Sequence, residues 1–250
     1  TGESATMSLE EHMETVEYCI KKVAGRVKVI AGAGSNDTAA ALMLSQHAEA
    51  AGADALLLVT PYYNKATQMG LIKHYEYIAD RVHTPIILYN VPSRTGCSFT
   101  AATYQQLAKH PNICGVKEAS GNFGLILETR RLCGDDFYIW SGNDDQVVPM
   151  MSLGTKGVIS VVSNVLPEVM VKMSHLCLEG NFEEAAKMQI EYSDLCNALF
   201  MEVNPIPVKA AMELMGLCSG NIRLPLCEMT PKHHAALRET LSAYGIALKN

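Results

Sequence analysis

A lysine that closes an apolar strand can act as a nucleophile, and Lys117 holds such a place. It ends the run Ile113-Cys114-Gly115-Val116-Lys117 and lies just before a loop containing Gly121. No other lysine of the chain combines those two features. In a poorly hydrated pocket a lysine gives up its proton below its ordinary pKa of ~10.4, and the free amine attacks a carbonyl carbon to form an imine. On position alone, an edge-strand lysine in water is the alternative. Tyr89 ends the preceding strand in the same register, so its phenol can meet the amine. A phenol both donates and accepts, as a proton shuttle must; a buried tyrosine with a satisfied hydroxyl leaves the same trace in sequence. Arg94 follows in a Pro-containing loop, where a guanidinium suits a carboxylate through two parallel hydrogen bonds, or else closes a salt bridge within the loop. Tyr62 and Tyr63 read as surface aromatics at a subunit contact, and Glu118 as a structural partner in a hydrogen-bond network.

These residues need a scaffold that brings strand ends together. After a helix over about 8–24, opened by the capping box Ser8-x-x-Glu11, strands and helices alternate. Strands are expected at Val27–Ala31, Ala55–Thr60, Pro85–Asn90, Ile113–Lys117, Phe137–Trp140 and Gly157–Val162, each followed by a helical stretch until the last. The strands are continuously apolar, which implies a parallel sheet covered on both faces. Six β-then-α units suit either an open doubly wound sheet or most of a (β/α)8 barrel. The sequence Ala31-Gly32-Ala33-Gly34-Ser35-Asn36-Asp37 has Asp37 where a dinucleotide loop needs its third glycine, so it is read as a tight turn. Polar residues gather just after the strands: Thr60 to Tyr63, Tyr89 to Arg94, Lys117-Glu118, Ser141 to Asp144, Ser163-Asn164. In a barrel all of these face one mouth. Beyond 165 the pattern is helical, with helices at about 165–179, 182–201, 206–216 and 231–248. The expected division is a catalytic α/β barrel over 1–164 and a helical domain over 165–250.

Bulk properties narrow the function. The 250 residues carry a net charge of -6 with no Lys/Arg-rich run, which argues against nucleic acid or an anionic membrane as partner. The 8 cysteines show no paired spacing and suit a reducing compartment; the histidines show no ligand spacing, so no metal is expected. No run reaches membrane-spanning length and no signal peptide is visible, so a cytoplasmic location is expected.

The segments T-G-E-S-A-T (1–6), V-T-P-Y-Y (59–63), Y-N-V-P-S-R-T-G (89–96), G-V-K-E-A-S-G (115–121), S-G-N-D (141–144), G-V-I-S-V (157–161), N-P-I-P-V-K (204–209) and R-L-P-L (223–226) resemble the dihydrodipicolinate synthases. These are pyruvate-dependent lyases of lysine and diaminopimelate biosynthesis in the N-acetylneuraminate lyase superfamily. The resemblance implies a TIM barrel with a helical appendage, and a Schiff base between Lys117 and pyruvate with Tyr89 as proton donor and acceptor. Tyr63 would complete a hydroxyl relay from a neighbouring subunit in a homotetramer built as a dimer of dimers. Thr1 would bind the pyruvate carboxylate, Gly142 and Ile159 would form pocket wall, and Arg94 would receive L-aspartate 4-semialdehyde. No cofactor is implied beyond the covalent pyruvate imine. An allosteric lysine site would use Ser4, Ala5, His12, Asn36 and Tyr62, but Ala40 stands where an acidic residue is expected and Leu9 where a second histidine is. The family's first motif reads G-T-T-G-E and this chain begins at its second threonine, so the first two barrel strands and a relay threonine are expected to be absent. Two alternatives accompany this reading: a sister aldolase that cleaves a sugar acid of the N-acetylneuraminate or 2-keto-3-deoxygluconate type, and a truncated, impaired relative with an oligomerisation role.

Overall fold

A computed structural model describes residues 2–249. It divides into two compact units, one spanning Met7–Gly142 and the other joining the N-terminal residues through Thr6 to Asn143 and beyond.

The first unit begins with α1 (Leu9–Val23), where Ser8 accepts from the Glu11 amide and Glu11 returns the bond to the Ser8 amide, the capping box expected from sequence. Then come β1 (Ile30–Gly32), α2 (Thr38–Ala51), β2 (Ala55–Val59), α3 (Gln68–Ala79), β3 (Ile86–Asn90), α4 (Pro92–Thr95), α5 (Ala101–Leu107), β4 (Ile113–Glu118), α6 (Phe123–Cys133) and β5 (Tyr138–Ser141). Among the described residues the strands form one parallel sheet in the order β1-β2-β3-β4-β5. Their apolar runs do what such runs predict. Leu56, Leu58, Ile86, Leu88 and Val116 lose all contact with solvent, and Leu44, Leu71, Tyr75, Ile78, Tyr104 and Leu107 of the helices are buried as well. The rings of Tyr75, Phe99, Tyr104 and Phe137 meet one after another in tilted contacts at centroid distances of 5.5, 4.7 and 5.9 Å, tying α3, α5 and the approach to β5 into one core.

The glycine-rich stretch after β1 is a tight turn. A Cβ on Gly34 would lie 2.4 Å from the Val59 nitrogen, so glycine is needed for backbone to pass backbone. Asp37 caps α2 by accepting from the Ala39 amide. Strand β1 is shorter than expected. Val27 is exposed, and the Val29 amide bonds the Asp54 carboxylate at 2.8 Å instead of joining the ladder.

The second unit contains α7 (Val147–Met151), α8 (Pro167–Leu178), α9 (Phe182–Glu191), α10 (Ser193–Ala198), α11 (Ile206–Leu214) and α12 (Pro231–Ala243) around a core that includes Val162, Met173, Leu195, Leu199, Val208, Leu237 and Leu241. The single helix expected over 182–201 is broken at Tyr192, whose ring stacks on Tyr244 at 5.2 Å. The strand expected at Gly157–Val162 is not formed; only Val158 carries an isolated bridge. The reason is local. The Val161 and Val162 amides both donate to one oxygen of the buried Asp144 carboxylate, at 2.9 and 3.1 Å, and the chain turns into a 3-10 segment at Val162–Asn164. Amides spent on a side chain cannot serve a ladder.

Among the described residues no helix is long and apolar enough to cross a membrane, and no three His, Cys, Asp or Glu side chains are grouped as metal ligands. All 8 cysteines are free: Cys97, Cys177 and Cys196 are buried, Cys114 and Cys133 half-buried, and Cys19, Cys218 and Cys227 exposed.

Candidate active site

Parallel register between β3 and β4 sets Tyr89 opposite Lys117. Side chains on neighbouring parallel strands at the same level point to the same face, so amine and ring share one space. The Lys117 Nζ lies 4.4 Å from the centroid of the Tyr89 ring, within the range of a cation–π contact. Both side chains are half-buried. Burial pushes the Tyr89 phenol above its ordinary pKa while the nearby Arg94 charge pulls it partly back, so the hydroxyl is protonated at neutral pH and ready to donate.

Arg94 rides on α4, a single turn held at its base by side-chain hydroxyls. Thr60, just beyond β2, donates to Thr95 at 3.1 Å, and Thr95 itself bonds the Val91 and Cys97 carbonyls. Gly96 ends the turn at φ 65°. Gly142, immediately after β5, has a steric role. A Cβ there would stand 2.6 Å from the Ala119 Cβ and 3.1 Å from the Lys117 Cε, so glycine leaves room for the lysine stem.

Glu118 sits next to Lys117 but points to the other face of the sheet, where it is 2% exposed. Its carboxylate accepts from Asn90 Nδ2 at 3.1 Å to each oxygen, from Tyr104 Oη at 2.8 Å and from the Ser120 amide at 2.8 Å. Burial and this carboxylate push the Tyr104 phenol well above its ordinary range, which keeps it a donor. Asn90 follows Tyr89 as Glu118 follows Lys117, so one network on the outward face locks the two strand ends that present the inward pair. The structure thus gives Glu118 the network expected of it. The sequence reading missed Asn90, Tyr104, Thr60 and Thr95 as supports; a polar residue beside each inward residue at a strand end was the available signal.

The other expected site residues fall as follows. Tyr63 is 89% exposed and adopts φ 73°, a left-handed conformation uncommon for an aromatic residue. Asn36 and Tyr62 are brought together: Asn36 Nδ2 donates to the Tyr62 carbonyl at 3.1 Å, and Asn64 Nδ2 donates to the Asn36 carbonyl at 2.9 Å. His12 places Nε2 2.8 Å from the Gly32 carbonyl and so carries its proton there. Ser4 and Ala5 form an exposed 3-10 turn (Ser4–Thr6) in the second unit, and Ile159 is half-buried in the irregular segment of that unit. Thr1 lies outside the described residues.

Residues 1–244 match the family model of the dihydrodipicolinate synthetase family. The chain belongs to that family. It is 52% identical to the 4-hydroxy-tetrahydrodipicolinate synthase of Thermoanaerobacter sp. (strain X514), over 98% of this chain and 83% of that protein. Among solved structures it is similar to the dihydrodipicolinate synthase of Aquifex aeolicus, with TM-score 0.98 and 45% identity over 100% of this chain and 85% of that one. It is also similar to the Cyanidioschyzon merolae dihydrodipicolinate synthase determined with lysine bound, with TM-score 0.95 and 41% identity over 98% of this chain and 84% of that one. The family expectation of a TIM-type barrel with a C-terminal helical domain agrees with the parallel α/β sheet of β1–β5 and the helices after it.

Proposed function

We propose that this chain condenses pyruvate with L-aspartate 4-semialdehyde to give 4-hydroxy-tetrahydrodipicolinate, as a lyase of lysine and diaminopimelate biosynthesis. The observation that carries this reading is the register pair of Tyr89 and Lys117, with Nζ 4.4 Å from the ring centroid. The Lys117 amine attacks the pyruvate carbonyl carbon and water leaves, forming the imine. The C3 proton then departs to give an enamine, whose carbon adds to the aldehyde. The amino group of the added semialdehyde closes the ring at the imine carbon and returns the lysine free. Each step moves a proton, and the Tyr89 phenol beside the amine is suited to move it. No metal or organic cofactor is required by this route.

The remaining assignments belong to the same reading. Arg94 receives the semialdehyde carboxylate, Thr1 the pyruvate carboxylate, and Gly142 with Ile159 the pocket wall. Tyr63, exposed and held at positive φ, supports the proposal that it reaches into a neighbouring subunit of a homotetramer. Catalysis belongs to 1–164 and the helical domain to 165–250, in a cytoplasmic protein. Lysine feedback through Ser4, Ala5, His12, Asn36 and Tyr62 is expected to be weak, because Ala40 and Leu9 offer no carboxylate or imidazole; titrating lysine against activity decides this.

Borohydride reduction in the presence of pyruvate, read by peptide mass spectrometry, tests the core of the proposal. An adduct on Lys117 supports it, and a folded protein without one sinks it. Substrate choice is tested by comparing the semialdehyde with N-acetylneuraminate and 2-keto-3-deoxygluconate. Arg94→Ala should raise KM for the semialdehyde about tenfold or more and KM for pyruvate little, the loss of a charge-assisted pair at one substrate.

A further inference from the structure

Two buried hydroxyls beside the site take no part in the chemistry proposed above. Thr60 is 0% exposed and Thr95 4%. The Thr60 amide donates to the Tyr89 carbonyl at 3.0 Å, which carries the β2–β3 ladder one residue past the register pair of Val59 and Tyr89. Its hydroxyl donates to Thr95 Oγ1 at 3.1 Å and makes no other hydrogen bond among the described residues. Thr95 spends its remaining capacity inside its own loop, donating to the Cys97 carbonyl at 2.9 Å and accepting from the Cys97 amide at 3.2 Å. Thr60 therefore fastens the backbone of Tyr89 to the residue next to Arg94. All of these groups lie in the first compact unit.

The turn that carries Arg94 needs such a fastening. At 4 residues, α4 is far shorter than a helix that holds itself together in water. Its own backbone supplies little: the Thr95 amide closes on the Val91 carbonyl at 3.1 Å and the Gly96 amide on the Pro92 carbonyl at 2.9 Å. What it is tied to decides where it stands. Arg94 acts across the same gap that Thr60 bridges, since its charge is felt by the Tyr89 phenol. We infer that Thr60 is a positioning residue for Arg94: through the Thr95 hydroxyl it holds the turn at the distance from Tyr89 where the guanidinium receives the semialdehyde carboxylate and the phenol still shuttles protons. This rests on the assignment of Arg94 under the proposed function. A guanidinium engages a carboxylate through two parallel hydrogen bonds only over a narrow range of approach, and a site of that kind must be held to within about half an ångström.

Thr60→Val cuts this bond without opening a cavity. It keeps the amide on the Tyr89 carbonyl and leaves Thr95 its bonds to Cys97. The expected result is a rise of about fivefold in KM for the semialdehyde, with KM for pyruvate changed less than about twofold. The alkaline limb of the pH–rate profile should move upward, because the Arg94 charge no longer holds the Tyr89 phenol down. A threonine that only stabilises the fold would lower the melting temperature and produce neither change. Thr60→Ser keeps the hydroxyl and should restore both. The decisive comparison is a double-mutant cycle with Arg94→Ala. A residue that acts through Arg94 has nothing left to position there, so Thr60→Val should raise KM for the semialdehyde less than about 1.5-fold in that background. A full fivefold rise in the Arg94→Ala background, or an equal rise in both KM values in Thr60→Val alone, overturns the proposal. Thr95→Val severs the same bond from the other side and carries the test if Thr60→Val fails to fold. If Arg94→Ala itself leaves KM for the semialdehyde unchanged, the assignment of Arg94 falls and takes the positioning role with it.

Discussion

At the residue scale the chemistry comes down to an amine over an aromatic face. The ring of Tyr89 contributes in two separable ways: its face attracts the Lys117 cation, and its hydroxyl moves protons. Tyr89→Phe keeps the first and deletes the second. We expect kcat to fall about a hundredfold, the lower end of what a positioned acid–base group supplies, while pyruvate still forms a trappable adduct. Rapid-quench trapping alongside steady-state assays reads this, and loss of the adduct itself would show that the hydroxyl is needed to form the imine. Arg94→Ala offers a control on electrostatics, because removing its charge takes away what holds the Tyr89 phenol down. Its pKa should rise further, moving the alkaline limb of the pH–rate profile upward. Lys117, Tyr89 and Arg94 were legible in sequence because each ends or directly follows an apolar run. The part played by Gly142 was not, since it depends on how β5 lies beside β4 and on a 3.1 Å approach to a side chain 25 residues back.

At the element scale, the sheet presents its inward pair only if the ends of β3 and β4 stay level. Backbone pairing sets that level, and the Glu118 network pins it from outside. Glu118→Gln puts an amide NH2 where one of four donated hydrogen bonds now arrives, so at least one buried donor loses its acceptor. The expected cost is about 2–3 kcal/mol, the penalty for a buried polar group left unpaired plus a lost charge-assisted bond. Urea unfolding measures it, and a change below about 0.5 kcal/mol would mean that the network does not support the strands. Most elements could be placed from apolar runs and caps, and β2, β3 and β4 match closely because strands buried on both faces have no competing register. Two of the errors share one cause. Val29 and the Val161–Val162 pair look like strand in sequence, yet their amides are taken by Asp54 and Asp144. A carboxylate that captures backbone amides from a distant position leaves no periodic signal, and neither does the break at Tyr192, which goes with a stack on Tyr244.

At the scale of the whole molecule, stability against acid is set by groups that bury or pair when the chain folds. His74 on α3 is the clearest case. It is 7% exposed, bonds Thr38 through Nδ1 at 2.9 Å, and burial lowers its pKa from 6.5 to about 4. Between those values the unfolded chain takes up a proton that the folded chain refuses, so stability is full above pH 6.5 and falls as pH drops toward 4. The whole effect is about 3 kcal/mol, from the size of the shift at 1.36 kcal/mol per pH unit. Glu49 acts in a lower window: burial works to raise it, but the Thr84 and His83 amides prevail and hold it below the usual carboxylate range. Its contribution is kept above the unfolded value of 4.5 and lost as pH falls through the folded one, so the two windows separate. The chain's 1 tryptophan, Trp140, lies on β5 in the same compact unit as His74, so its fluorescence in urea reports that unit's unfolding. His74→Phe fills the space without a titrating group, and the plot of unfolding free energy against pH should flatten between 6.5 and about 4.5 while keeping its fall below that. A variant with the same slope as the parent in that upper window would show that His74 is hydrated or already protonated in the folded state. Acid sensitivity would then have to come from the carboxylates alone.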